Sequence, residues 1–188
     1  LYIADDRVKK QEGIKNKLEK IVPELKGLYR DTKTRPKIRV FEGEAGLRQV
    51  YFDIFNVGIK DIRVFEDLSN ILKIFPDFVD YDSEQRLKRG VNLYSIAPAK
   101  KEIMDICLNG PVINKEVLTF IPKEKFKFPV DVTIYGDRVA FASPKDLFGI
   151  IIEHKEIAEA MKNAFDLALE EAKRLYKKDN PQAKKRQN

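Results

Sequence analysis

Between Lys37 and Pro98, short β-branched bursts alternate with stretches of helical spacing, and this alternation limits the possible folds more than any other feature. "KIRVF" (37–41), "DIRVF" (61–65) and "VNLYSIA" (91–97) each read as a strand. Between the first two, "EAGLRQVYFDIF" places Leu47, Val50, Tyr51 and Ile54 on one helical face. "LSNILKIFPDFVDYDSEQRLKRG" follows the second strand, and its latter part reads as a helix stopping at Gly90. "KKEIMDICL" adds a short helix after the third strand. Strand, helix, strand, helix, strand, helix predicts parallel βαβ units.

The second half changes character. "EVLTFIP", "VDVTIYG", "RVAFAS" and "LFGIIIE" follow with little between them, and Gly136-Asp137 reads as a hairpin turn. "HKEIAEAMKNAFDLALEEAKRLYKK" then predicts a long amphipathic helix with Ile157, Met161, Phe165, Ala168, Ala172 and Leu175 along its apolar face. The expected class is α/β: a mixed, largely parallel sheet flanked by helices.

A helix is also expected ahead of the sheet. Ile14, Leu18, Ile21, Leu25 and Leu28 are spaced 4, 3, 4, 3, which is a heptad seam of about two heptads. It can serve as a dimer interface or pack on its own domain. The expected division is a coiled-coil linker and dimerisation helix over 1–30, a linker over 31–36, an effector-binding α/β domain over 37–178 and a basic flexible tail over 179–188. The chain begins at Leu1, which suggests a piece of something longer.

Charge narrows the partners. The net charge is +6, but residues 1–36 and 177–188 carry +4 each, which leaves residues 37–176 at −2. A duplex-binding surface needs basic groups collected on the folded body, so nucleic acid is not expected to bind the body itself. No run is apolar enough to span a bilayer, and nothing reads as a secretion leader; a cytoplasmic location is expected, with no membrane partner.

Chemistry is sparse. The single Cys107 excludes an internal disulfide, and the single His154 excludes any site that needs two imidazoles. Neither a metal nor a cofactor is expected. His154 could act as nucleophile or general base, or could simply end a strand. In "EGEAG", Glu42, Gly43 and Glu44 stand at the end of a strand where a helix begins. This is neither a phosphate loop nor a dinucleotide fingerprint. The two acids could accept hydrogen bonds from the hydroxyls of a sugar-like ligand, or they could only shape the turn. Arg86 and Arg89 in "EQRLKRG" could reach an acidic ligand, or form a solvated helix face.

The order "VPELKGLYRD", "PKIRVFEGEAGLRQVYFDIF", "EQRLKRGVNLYSIAP", "DVTIYGDRVAFAS" and "GIIIEHKEIAEAMKNAFDLAL" resembles the C-terminal effector domain of TrmB-family transcriptional regulators. The resemblance implies a phospholipase-D-like sensor domain, a homodimer, a small-molecule effector, and DNA contact only through a winged helix-turn-helix upstream of this chain. "LYIADDRVKK" resembles the end of such a wing running into the linker helix. Phospholipase-D-like enzymes carry H-x-K-x4-D, whereas here the only histidine stands in "HKE". The expected function is therefore regulatory and non-catalytic. The alternatives are a phosphodiesterase using His154 and an assembly domain without ligand.

Overall fold

A computed structural model describes residues 35–109 and 116–179 of the chain. Among them are strands β1 (Lys37–Glu42), β2 (Asp61–Phe65), β3 (Asn92–Pro98), β4 (Glu116–Ile121), β5 (Asp131–Tyr135), β6 (Arg138–Ser143) and β7 (Phe148–Glu153). The α-helices are α1 (Gly43–Phe52), α2 (Leu68–Ile74), α3 (Phe78–Arg89), α4 (Lys101–Asn109) and α5 (Lys155–Asp179); a 3-10 turn over Asp53–Asn56 continues α1. The seam at Ile14, Leu18, Ile21, Leu25 and Leu28 lies outside the described residues, as does the tail from 180 onward.

The seven strands form one sheet in the order β1-β7-β6-β5-β2-β3-β4. β2, β3 and β4 are parallel neighbours, as the βαβ reading predicts. The other pairs are antiparallel: β1 with β7, β7 with β6, β6 with β5, and β5 with β2. The sheet is mixed but not largely parallel, contrary to expectation. The reason lies in the connections. The Gly136-Asp137 turn and the four residues between β6 and β7 are too short for a crossover, so β5, β6 and β7 can only meander. β7 then pairs with β1 along its whole length, from Lys37 opposite Glu153 to Glu42 opposite Phe148. β1 is thereby separated from β2 by three strands.

Side chains alternate across the sheet with period two. Ile62 and Val64 of β2, Tyr135 of β5, Ala140 and Ala142 of β6 and Ile151 of β7 join one core with residues of α1 to α4. Phe65, Val132, Ile134 and Val139 join a second core with Ala158, Phe165, Leu169 and Ala172 of α5. The result is three layers. The buried stripe of α5 shares Phe165 and Ala172 with the predicted face but is rotated: Ala158 and Leu169 are buried, while Ile157 is exposed. Small residues here let the helix lie close on the sheet, and Arg63 of β2 reaches across to Asp166 at 2.8 Å.

On the other face, α1 approaches β7 closely at Gly149. A Cβ on Gly149 would stand 2.7 Å from Cγ2 of Val50, so only glycine admits the helix at this distance. α3 ends at Gly90, whose φ of 64° and N–H bonds to the carbonyls of Arg86 and Leu87 close the helix in a left-handed cap.

Candidate functional site

The helical layer leaves a space above β2, β3, β4 and β5. It is a cavity of about 430 Å³, within the usual range of small-molecule sites. One face of α3 forms its roof: Phe78, Val79, Asp82, Ser83, Arg86 and Leu87 all line it, at the spacing of one helical face. Ile62, Val64, Leu93, Leu118 and Thr133 form the floor; Tyr51 closes one side, and Ile106 and Cys107 of α4 the other.

Two buried carboxyls enter this mainly apolar space. Asp131 stands at the start of β5, where Tyr51 donates to its Oδ2 at 2.6 Å and the Asp67 N–H donates to its Oδ1 at 2.9 Å. Burial outweighs these bonds and pushes the carboxyl up to about 7. Burial, then the Asp131 charge, raises the Tyr51 hydroxyl above its ordinary range, so Tyr51 remains a donor. Glu66 follows the last residue of β2. Ser95 of β3 donates to its Oε1 at 2.7 Å, and burial again pushes the carboxyl up to about 7.

A second tier holds the first in place. Asp67 caps α2 by accepting from the Ser69 N–H, and it takes Lys100 Nζ at 2.6 Å. Burial raises its pKa, but the bonds from Lys100 and Ser69 prevail and keep it below the usual range. On α3, Arg86 is only 3% exposed and donates Nε to Asp82 at 2.7 Å, one helical turn away.

Of the residues singled out in the sequence, Arg86 lines the cavity. Arg89 is exposed at the end of α3, lies over the Phe55 ring at 5.2 Å and bonds Gln85. Glu42, Gly43 and Glu44 are exposed at the β1–α1 junction and do not line the cavity. The Gly43 N–H donates to the Leu147 carbonyl at 2.7 Å, so it is not available to a ligand. His154 sits at the β7–α5 junction, outside the cavity lining, where its Nδ1 accepts from the Ile157 N–H at 3.4 Å. Tyr51, Glu66 and Asp131 did not emerge from the sequence as site residues. Glu66 carried one signal: an acid directly after a strand of a parallel unit stands where such sheets bind ligands.

Solved structures similar to the chain include the following two. One is TrmBL2, an archaeal chromatin protein whose structure shows a novel mode of DNA binding: 17% identity, TM-score 0.49, covering 89% of this chain and 65% of that one. The other is NucT from Helicobacter pylori: 13% identity, TM-score 0.46, covering 72% of this chain and 97% of that one. The chain thus spans about two thirds of the TrmBL2 structure. No family model matches the chain, and no curated protein matches it in sequence. Among the described residues, no group of three or more His, Cys, Asp or Glu could hold a metal ion, and no helix is long and apolar enough to cross a membrane.

Proposed function

We propose that this chain is the effector-sensing and dimerisation part of a cytoplasmic, DNA-binding transcriptional regulator, non-catalytic and built on a phospholipase-D-like sensor domain. The observation that carries the reading is the cavity under α3. It has the size of a small-molecule site, and polar groups from three elements and the loop after β2 converge in it: Tyr51, Glu66, Arg86, Asp131 and Thr133 with Asp82 and Ser83. The motif order that resembles TrmB-family effector domains supports it, as does the heptad seam at Ile14 to Leu28.

Sensing follows from where the cavity lies. Its roof is one helix and its floor is the sheet, so an occupant that prefers one pose of α3 biases that pose. Coupling to DNA requires the effector to favour one dimer arrangement over another. DNA would be contacted through an upstream winged helix, not through this domain.

A thermal-shift screen of the full chain against sugars, nucleotides and amines tests the proposal. A compound that binds only the folded state must raise the melting temperature. A set of hits is expected. A silent screen would leave an assembly domain without ligand. Activity on a phosphodiester that disappears in His154→Ala would instead establish the enzyme.

A further inference from the structure

The charges around the cavity are one-sided. Glu66, Asp80, Asp82, Glu84 and Asp131 line it, against a single cation, Arg86. No lysine or histidine is among the described lining residues. Arg86 is itself engaged with Asp82. Asp80 and Glu84 stand exposed on α3 beside the exposed Leu87, toward solvent; Glu66 and Asp131 lie deep. An anion entering this space would meet carboxylates at every depth and no uncommitted lysine.

Glu66 is the group that asks for a partner. It is 8% exposed. Ser95 satisfies Oε1, and no described residue donates to Oε2. Because no sealed polar side-chain atom among the described residues lacks a partner, Oε2 opens onto the cavity. The rest of the wall is largely hydrocarbon, with the Tyr51 and Phe78 rings 5.2 Å apart in an edge-to-face pair.

We propose that the ligand is an organic cation: an ammonium group on a compact hydrocarbon or aromatic body, its N–H donors directed at Glu66 and Asp131 and its body against Tyr51, Phe78 and the apolar floor. This rests on the cavity being the effector site. A buried charge-assisted hydrogen bond is stronger than a neutral one, and aromatic faces attract cations.

The protonation of the two carboxyls adds a signature. Glu66 is faced by Ser95 of β3, Asp131 of β5 and Asp82 and Arg86 of α3; Asp131 is faced by Tyr51 of α1 and the Asp67 N–H. Both carboxyls are about half protonated near pH 7. A bound ammonium favours their ionised forms, so its binding releases protons and tightens as pH rises through neutrality.

Titration calorimetry on the full chain compares three probes of one shape: phenethylamine, phenethyl alcohol and 3-phenylpropionate. The amine is expected to bind roughly tenfold or more tightly than the alcohol, and the carboxylate not at all. Glu66→Gln keeps an acceptor for Ser95 and should weaken the amine roughly tenfold while leaving the alcohol unchanged. Glu84→Gln, at the exposed rim, should weaken it less. Amine affinity should rise from about pH 6 to about pH 8. Alcohol or phenylpropionate binding as tightly as the amine would overturn the charge assignment and leave the cavity as an effector site. Unchanged amine affinity in Glu66→Gln would do the same. No binding by any of the three overturns this proposal, and the thermal screen then decides separately whether the cavity takes a ligand of another kind.

Discussion

Tyr51 and Asp131 are 80 residues apart in sequence and 2.6 Å apart in space. One comes from the helix that leaves the edge strand; the other opens the first strand of the meander. Their bond ties the helical layer to the sheet at the wall of the cavity. Tyr51→Phe keeps the ring against Phe75 and Phe78 and removes only the donor. It should destabilise the fold by about 1–3 kcal/mol, because Asp131 loses a partner while buried. Urea denaturation measures this; an unchanged midpoint would show that the bond contributes nothing.

Stability should depend on pH through the same groups. Glu66 and Asp131 are raised to about 7 by burial, so the folded chain binds protons that the unfolded chain has already released. That contribution is full at low pH and is lost as pH rises through about 7. Unfolding free energy should therefore fall between about pH 5 and pH 8, by an amount on the order of a few kcal/mol for the pair. Glu66→Gln should flatten the slope. Asp53 works in the opposite direction. Burial raises its pKa, but bonds from Tyr135, Arg138 and Arg39 prevail and hold it low; the stability it adds is lost only at acid pH.

Gly149→Ala should cost about 1–3 kcal/mol, the usual range for overpacking, since its Cβ would meet Val50 Cγ2 at 2.7 Å. In a Val50→Ala background the same substitution should cost less, because the clashing methyl is gone. Chemical denaturation of the four chains gives the coupling; strict additivity would mean that α1 is not held against β7 in this way.

Much of the sheet was legible along the chain. β2 and β6 follow from period-two alternation, and α3 ends where Gly90 predicts. Their arrangement was not legible. β1 pairs with β7 because of how a meander closes on the far edge, and nothing local to "KIRVF" encodes its neighbour. The cavity was harder still. Tyr51 falls on the apolar face of α1 and reads as core, which it also is. Asp131 precedes a strand like any turn acid. Only the fold brings Asp131 and Glu66 together. Arg86 could be found because three cations crowd "RLKR", but sequence alone does not separate the buried Arg86 from the exposed Arg89.

The proposed dimer rests on the heptad seam. Leu18→Glu and Leu25→Glu should each lower the sedimenting mass of the chain from dimer to monomer at tens of micromolar. A wild-type chain that sediments as a clean monomer would remove the dimer from the account.

The most direct test of the cavity uses Cys107, the chain's single cysteine and a lining residue. The rate of its alkylation by iodoacetamide reads that wall and no other thiol, provided it is measured where low urea does not alter it, so that the native state is what reacts. Saturation with the compound that most raises the melting temperature should slow alkylation in the wild type and leave it unchanged in Leu118→Trp, where the floor is filled. A raised melting temperature with an unaltered alkylation rate would place the ligand elsewhere and contradict the account.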